Sequence, residues 1–354
     1  MKASLLPLRL ASQRLAGNPL PDGAAVVTHL GAVQAQLPEM SLWALSMRSG
    51  RTRAELSAEL DAGAFVRTHV LRPTWHYVLA DDLPDLLAVS ADRVRRSLDA
   101  GERVSSLSPA ARHAAADVAV EAVRTHGPLT RADVVTHLED AGLHGPTGAW
   151  LTTPLAFVLM EAELRGAIGS GPARGRQGTY RALDLPEPDR TPDERLAWLA
   201  RTYLRGHGPA TPQDLAWWAG TTLSTARRAF RLADPRPVEV AGVELFADAD
   251  TAPEPAEVPA ALLIPNYDEV LSYRRDPGDW GPYGTDAVLR AAGLLLVDGA
   301  LAGSWKRTER GGQVTVEVTA PEPVTRRVGA ELEAEVERFG RFAGVPAELT
   351  VTGG

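Results

Sequence analysis

Two stretches of this chain repeat each other in order, and that repeat restricts the fold more than any other feature. Ser108-Pro109-Ala110-Ala111-Arg112 leads to His126-Gly127-Pro128-Leu129-Thr130-Arg131-Ala132-Asp133. Thr191-Pro192-Asp193-Glu194-Arg195 leads to His207-Gly208-Pro209-Ala210-Thr211-Pro212-Gln213-Asp214. The shared order is Ser/Thr-Pro-x-x-Arg, then His-Gly-Pro-x-Thr-x-x-Asp, and a period of about eighty residues marks a repeated domain rather than a solenoid unit. Each piece has a local task. Ser or Thr caps a helix with Pro at its first position, Gly ends that helix, and Thr130 or Thr211 caps the next. A further helix and a strand-turn-strand follow in both copies: Leu151 to Leu164 then Ala167 to Leu183, and Leu223 to Leu232 then Val238 to Phe246. Three helices and a hairpin make a winged helix-turn-helix.

The N-terminal part reads the same way. Leu5 to Ala16 forms a helix, Asn18 to Gly23 a turn, and Ala24 to Val33 resumes a helical pattern. A short helix starts near Pro38, and Thr52 with Glu55 makes a capping box for a helix over Arg53 to Leu60. Phe65 to Leu79 switches to period two and predicts a hairpin. From Ala261 the pattern changes to a separate β-rich module with one amphipathic helix, Arg326 to Phe342. The chain is therefore α+β: winged helices over 1–107, 108–185 and 186–258, then a β-rich domain over 259–354.

At 354 residues the chain suits several modules, and its zero cysteines exclude disulfides, thiolate metal sites and a Cys nucleophile. Scattered histidines suggest no metal site, and no phosphate loop, nucleophile elbow or dinucleotide fingerprint is present. No apolar run reaches membrane-span length and no signal peptide opens the chain, so a cytoplasmic protein without membrane contact or cofactor is expected. The net charge of -8 argues against nucleic acid until its distribution is considered. Acidic residues gather over Val243 to Pro259, while Arg93-Arg95-Arg96, Arg174-Arg176, Lys306-Arg307 and Arg326-Arg327 lie elsewhere.

The residues that stand out are Gln34 and Gln36, one apart in the apolar stretch His29 to Pro38. In extended backbone such a pair shares a face, and Pro38 biases Leu37 away from helix. Both carboxamides then enter one space; surface or capping roles are the plain alternative. Arg67, His69, Arg72, Trp75 and His76 interleave basic and aromatic groups along one ribbon, a pattern for nucleic-acid contact, although Trp75 also suits a core. The Gly-rich tip with Arg174 and Arg176 is either a backbone-contacting wing or a flexible turn. Asp268-Glu269 and Asp81-Asp82 are the carboxylate pairs available for acid-base work.

These residues resemble the AlkZ-like DNA glycosylases, a bacterial winged-helix family. The resemblance rests on Leu30-Gly31-Ala32-Val33-Gln34-Ala35-Gln36 with Leu42-Trp43-Ala44-Leu45, and on Thr68-His69-Val70-Leu71-Arg72-Pro73-Thr74-Trp75-His76. Leu263-Ile264-Pro265-Asn266-Tyr267-Asp268-Glu269 with Tyr273-Arg274, and Val297-Asp298-Gly299 with Gly303-Ser304-Trp305-Lys306-Arg307, extend it over nearly the whole chain. It implies three winged helices and a β domain forming a C-shaped channel around double-stranded DNA. It also implies a monofunctional glycosylase whose Gln-apolar-Gln motif is Gln34-Ala35-Gln36. The family usually has Asp next, where this chain has Leu37, which weakens a helix cap and leaves the glutamines in place. DNA-contacting roles are then expected for Arg67, His69, Arg72, Trp75, His76, Arg174, Arg176, Lys306 and Arg307, with Asp268 and Glu269 as auxiliaries.

A motif without a carboxylate suits a particular substrate. A purine alkylated at N7 is already cationic and leaves without a general acid, so the enzyme needs only to hold water near C1' and aim dipoles at the developing oxocarbenium ion. The expected partner is duplex DNA carrying alkylated bases, including bulky adducts or crosslinks, acted on by a monomer. Two other classes fit the fold: a winged-helix transcription regulator with structural glutamines, and a non-nucleic-acid scaffold favoured by the net charge. A regulator usually dimerises to match a two-fold operator, which three unequal motifs in one chain disfavour.

Overall fold

The repeated threonines act as helix caps, and the repeat's last residue completes each one. Thr130 Oγ1 accepts from Asp133 N–H while the Asp133 carboxylate accepts from Thr130 N–H at 2.8 Å; Thr211 and Asp214 do the same. Thr52 with Glu55 and Thr191 with Glu194 form two more such boxes. Each satisfies two backbone donors that a helix start otherwise leaves unpaired.

The computed structural model describes residues 5–240, 242–250, 256–274, 291–320 and 324–353, leaving aside the Arg103 side chain. Lys2 and Glu254 lie outside the described residues. After α1 (Leu5–Ser12) the chain runs α2 (Gly23–Leu30), β1 (Val33–Gln34), α3 (Pro38–Ser49), α4 (Arg53–Ala62), β2 (Val66–His69) and β3 (Trp75–Val78). Helix α5 (Leu83–Ala100) and a short α6 (Glu102–Ser105) lead to α7 (Pro109–His126), β4 (Leu129–Thr130), α8 (Arg131–Asp140), α9 (Thr152–Leu164), β5 (Ile168–Arg174) and β6 (Gln177–Ala182). Then come α10 (Pro192–His207), α11 (Pro212–Trp218), α12 (Leu223–Ala233), β7 (Arg236–Val240) and β8 (Val243–Ala247).

One order of elements, helix-strand-helix-helix-strand-strand, thus recurs through the first two thirds of the chain. The small sheets agree: β1-β3-β2 in the first unit, β4-β6-β5 in the second, and in the third a bridge from Ala210 to Phe246 in place of the first strand. Strand β1, with Gln34, occupies the position that β4 fills before the Thr130 cap.

The C-terminal part is a five-stranded sheet in the order β13-β12-β11-β10-β9. Its strands are β9 (Ala261–Ile264), β10 (Gly293–Val297), β11 (Ala300–Arg310), β12 (Gln313–Thr319) and β13 (Ala347–Thr352), with α13 (Arg326–Ala343) packed on it. All pairs are antiparallel except β12 with β13.

The structure differs from the sequence expectations in four places. Helix α2 stops at Leu30, not Val33, because Gly31 takes φ +80 and its N–H returns to Val27 O. A Cβ there would lie 2.4 Å from Thr202 Cγ2, so the position also depends on having no side chain. Helix α1 ends at Ser12 rather than Ala16, and α3 is a full twelve residues rather than short. The β-rich part is not separate: Leu10, Leu30, Trp43 and Tyr77 share one core with Leu262, Ile264, Trp305 and Phe339. Trp43 Nε1 donates to Leu263 O at 2.9 Å, and its ring meets Phe339 edge-on at 5.1 Å.

Helix α5 was not anticipated, and it explains the repeat's arginines. Arg112 of the second unit pairs with Asp99 at 2.6 Å, and Arg195 of the third pairs with Asp85 at 2.6 Å. Asp99 and Asp85 lie near opposite ends of α5. Equivalent arginines therefore fasten two units to one strut. Asp85 is buried and doubly paired, also by Arg190, so removing one arginine leaves the other, and only removing both would strand its charge in a dry site.

Candidate active site

Strand β1 is an edge strand, and its pairing decides where Gln34 points. Val33 lies opposite Tyr77 and Gln34 opposite His76, while Ala35 N–H donates to Trp75 O at 2.7 Å. Hydrogen bonding through Ala35 makes Gln34–His76 a non-hydrogen-bonded pair, the closer of the two antiparallel types. The Gln34 N–H consequently faces away from β3, where the Glu269 carboxylate accepts it at 2.7 Å. That one contact fixes the motif's backbone.

Glu269 is fully buried and committed on both oxygens. Its Oε2 accepts from His207 Nε2 at 3.0 Å and from Trp218 Nε1 at 3.1 Å. Burial opposes its ionisation, but the hydrogen bond and charge of His207, aided by Ser272 and His76, hold the carboxyl at about 2. Asp268 is equally occupied, with both oxygens on Arg48 at 2.8 and 2.9 Å. Arg48 is itself buried and also bonds Gln13 through its backbone and side-chain oxygens. Both expected auxiliaries are thus anchors: Asp268 through Arg48, Glu269 through Gln34.

The carboxamides are left free. Gln34 and Gln36 are half-buried, and among the described residues neither side-chain amide makes a hydrogen bond; the Gln36 Oε1 is buried without a partner. Leu37 precedes α3 with no side-chain cap, as its identity implied.

The basic and aromatic ribbon divides between the two faces of its sheet. Arg67, His69 and Trp75 share one face. Arg67 lies 4.7 Å over the Trp75 ring and donates to Ala35 O at 2.9 Å, while His69 stacks on Trp75 at 4.0 Å. His69 Nδ1 and Trp75 Nε1 both meet the buried carboxylate of Glu163 on α9. This face is packed against the second unit, and His69 is only 2% exposed, so its side chain braces two units and does not reach solvent. His76 lies on the opposite face with Gln34 and is fully buried, so no exposed ribbon of five DNA contacts forms. Arg72 is half-buried in the β2–β3 turn beside the third unit, where Gly220 packs against it.

The outer cations differ in freedom. Arg174 folds back onto Asp133 at 2.9 Å and Pro128 O at 2.8 Å, whereas Arg176 at the same tip is exposed. Arg307 is paired with Glu39 at 2.5 Å, while neighbouring Lys306 is exposed. These two lie on β11 beside a cavity of about 420 Å³ lined by Leu37, Pro38, Asn266 and Trp305. Asp82 is half-buried near Arg190, away from the glutamines.

Sequence reasoning missed Arg48, Glu163, Trp218 and Gln13. His207 carried a signal, being the repeat's histidine, whereas Glu163 sits in an apolar helix with nothing local to mark it. Among the described residues no group of three His, Asp or Glu is placed to hold a metal ion, and no helix is long and apolar enough to cross a membrane.

No curated protein matches the sequence. Among solved structures the chain is similar to the Streptomyces sahachiroi DNA glycosylase AlkZ, with a TM-score of 0.76 and 22% identity over 99% of this chain and 100% of that one. That likeness establishes the fold. The sequence model described as "DNA glycosylase AlkZ-like" matches residues 27–342, from just before the glutamine motif to the end of the last helix. The chain belongs to the AlkZ-like DNA glycosylase family and is a DNA glycosylase.

Proposed function

We propose that Gln34 and Gln36 hydrolyse the N-glycosidic bond of purines carrying a cationic alkyl group at N7, in duplex DNA held across the tandem units. The observation that carries this reading is the allocation of polar groups. Two carboxamides are unpaired, while both neighbouring carboxylates are consumed by Arg48, His207, Trp218 and the Gln34 backbone. A site offering dipoles and no free proton donor suits a leaving group that already carries its charge.

The carboxamide oxygens accept hydrogen bonds from water and turn its lone pair toward C1'. Their negative ends also favour the oxocarbenium ion as the C1'–N9 bond lengthens. An uncharged purine would depart as an anion and needs protonation that this set does not supply. With water oriented by the glutamines as the nucleophile, the reaction ends at the abasic site. Bulky N7 adducts and interstrand crosslinks joined through N7 present the same leaving group and extend the substrate class to the lesions of genotoxic natural products. The enzyme acts as a cytoplasmic monomer on chromosomal DNA.

The test is base release from duplex DNA containing N7-methylguanine, repeated with a bulky N7 adduct, for wild type, Gln34→Ala and Gln36→Ala. Release by wild type and loss of about a hundredfold or more in each variant, with DNA binding retained, is expected. Release of uncharged adenine or guanine at comparable rates would overturn the restriction to cationic bases.

A further inference from the structure

The face of the β1-β3-β2 sheet that carries Gln34 holds an unusual concentration of unpaired polar atoms. Gln34, His76 and Thr68 lie in one cross-strand row, because Gln34 is opposite His76 and His76 opposite Thr68. Thr74 and Gln36 lie just outside the paired strands, in the bends that adjoin β3 and β1. Among the described residues His76 Nε2, Thr68 Oγ1, Thr74 Oγ1 and Gln36 Oε1 are buried without a hydrogen-bond partner. One such atom costs about 1–3 kcal/mol, so two on this face and two in the adjoining bends call for a common explanation.

His76 is the most informative of them. Its Nδ1 lies 3.0 Å from Thr74 O, and a carbonyl only accepts, so Nδ1 carries the hydrogen. The lone pair is therefore on Nε2, inside the sheet face shared with the glutamines. A histidine kept purely for packing would have both nitrogens satisfied or apolar surroundings at the free one. Here the cross-strand neighbours of His76 on its own face are polar, Gln34 on one side and Thr68 on the other.

Building on the glutamine reading above, we propose that His76 is a third catalytic residue, whose Nε2 accepts a hydrogen bond from the water oriented by Gln34 and Gln36 and takes its proton. The C1'–N9 bond breaks with its electron pair going to the purine, which leaves neutral. The water oxygen bonds C1', forming an oxonium ion, which gives one proton to His76 Nε2; the imidazolium returns it to solvent when the products leave. Burial foremost, with the charge of Arg72, lowers the His76 pKa to about 3 against the opposing pull of Glu269. Burial thus favours the unprotonated imidazole as an acceptor, and an oxonium is a far stronger acid than imidazolium. Thr68 and Thr74 supply donors and acceptors that hold the water's remaining hydrogen.

The experiment is single-turnover release of N7-methylguanine from duplex DNA by wild type, His76→Ala, His76→Gln and Gln34→Ala, with DNA affinity and thermal stability measured on each. His76→Ala should lose about a hundred- to ten-thousandfold in rate at near-unchanged affinity, as expected for a positioned proton acceptor. Added imidazole should restore part of that rate in His76→Ala and none in Gln34→Ala. His76→Gln keeps an oxygen acceptor and should lose less than His76→Ala; it also serves if the alanine variant does not fold. Full rate in a folded His76 variant while Gln34→Ala is inactive would overturn the role of His76 and leave the glutamines standing. Weakened DNA binding with no imidazole rescue would make His76 structural and equally overturn it. Absence of release by wild type would instead remove the cationic-base reading underneath.

Discussion

The backbone N–H of Gln34 donates to the carboxylate of Glu269 at 2.7 Å, across a sequence separation of 235 residues. Because Gln34 belongs to an edge strand, its N–H would otherwise go unpaired, and the Glu269 oxygen both satisfies it and fixes the strand. The C-terminal segment therefore positions the first unit's motif directly.

Glu269→Gln tests that relationship. The amide can still accept from Gln34, but its NH2 then faces the His207 and Trp218 donors. Stability should fall by about 3 kcal/mol, the usual consequence of removing one partner of a buried charged pair. Base release should drop further than stability accounts for. Denaturant unfolding together with single-turnover assays below the melting temperature would check it; a variant with wild-type stability and rate would show that Glu269 does not hold the motif.

Gly31→Ala probes the other end of the motif. The added Cβ meets Thr202 Cγ2 at 2.4 Å in a backbone conformation, φ +80, that side chains resist. A loss of about 1–3 kcal/mol is expected from strain and overpacking. Pairing with Thr202→Ser, which removes the opposing methyl, should recover the packing share and leave the backbone share. Recovery of nothing would place the whole cost in the backbone.

Stability should decline in mild acid. Burial, ahead of opposing and reinforcing neighbours, lowers the pKa of His29 to about 4 and of His76 to about 3. Unfolded, both titrate near 6.5, so below that pH the unfolded chain binds more protons than the folded one. Their contribution is fully present above about 6.5 and is lost progressively as pH falls toward 4 and 3. Each proton taken up is worth about 1.4 kcal/mol per pH unit. Glu269, held at about 2, adds a further loss only below about 4.5. Melting curves from pH 7 to 5 should show this slope, and His76→Phe should remove roughly one proton's share. An unchanged slope would mean His76 is protonated in the folded state.

Lys306 and Arg307 should behave differently although adjacent. Lys306 is exposed on β11, whereas Arg307 is tied to Glu39, which also receives Arg53 at 2.9 Å. Lys306→Ala should weaken duplex binding evenly across sequences and lower the salt slope by about 1. Arg307→Ala should leave the salt slope unchanged and instead loosen the contact between α3 and β11. Equal salt slopes for both variants would show that Arg307 leaves Glu39 for phosphate.

Much of the fold was legible because its signals are local. Thr52, Thr130, Thr191 and Thr211 announce helix starts through capping boxes, and period-two stretches announce the hairpins. The break in the helix before the two glutamines was legible too. The end of α2 at Leu30 was not, because Val33 continues a helical pattern and only the φ of Gly31 shows otherwise. The anchors of the site were hidden for another reason. Arg48, Glu163 and Trp218 act on residues far away in sequence, and nothing beside them marks their roles. His69 and His76 look alike in sequence and end on opposite faces, since the hairpin sets His69 opposite Trp75 and so turns the next residue, His76, to the other face.

Strand β1 fills the place that, in the second unit, is a two-residue lead into a helix cap. On the proposed reading, bond cleavage is confined to this connector and the strand beside it, and the other units are left to grip DNA. Substitutions on the surfaces of those units can change which damaged helix is held, and in what shape, without altering the groups that break the bond. On that reading, selection for a new lesion and maintenance of the chemistry act on different parts of the gene.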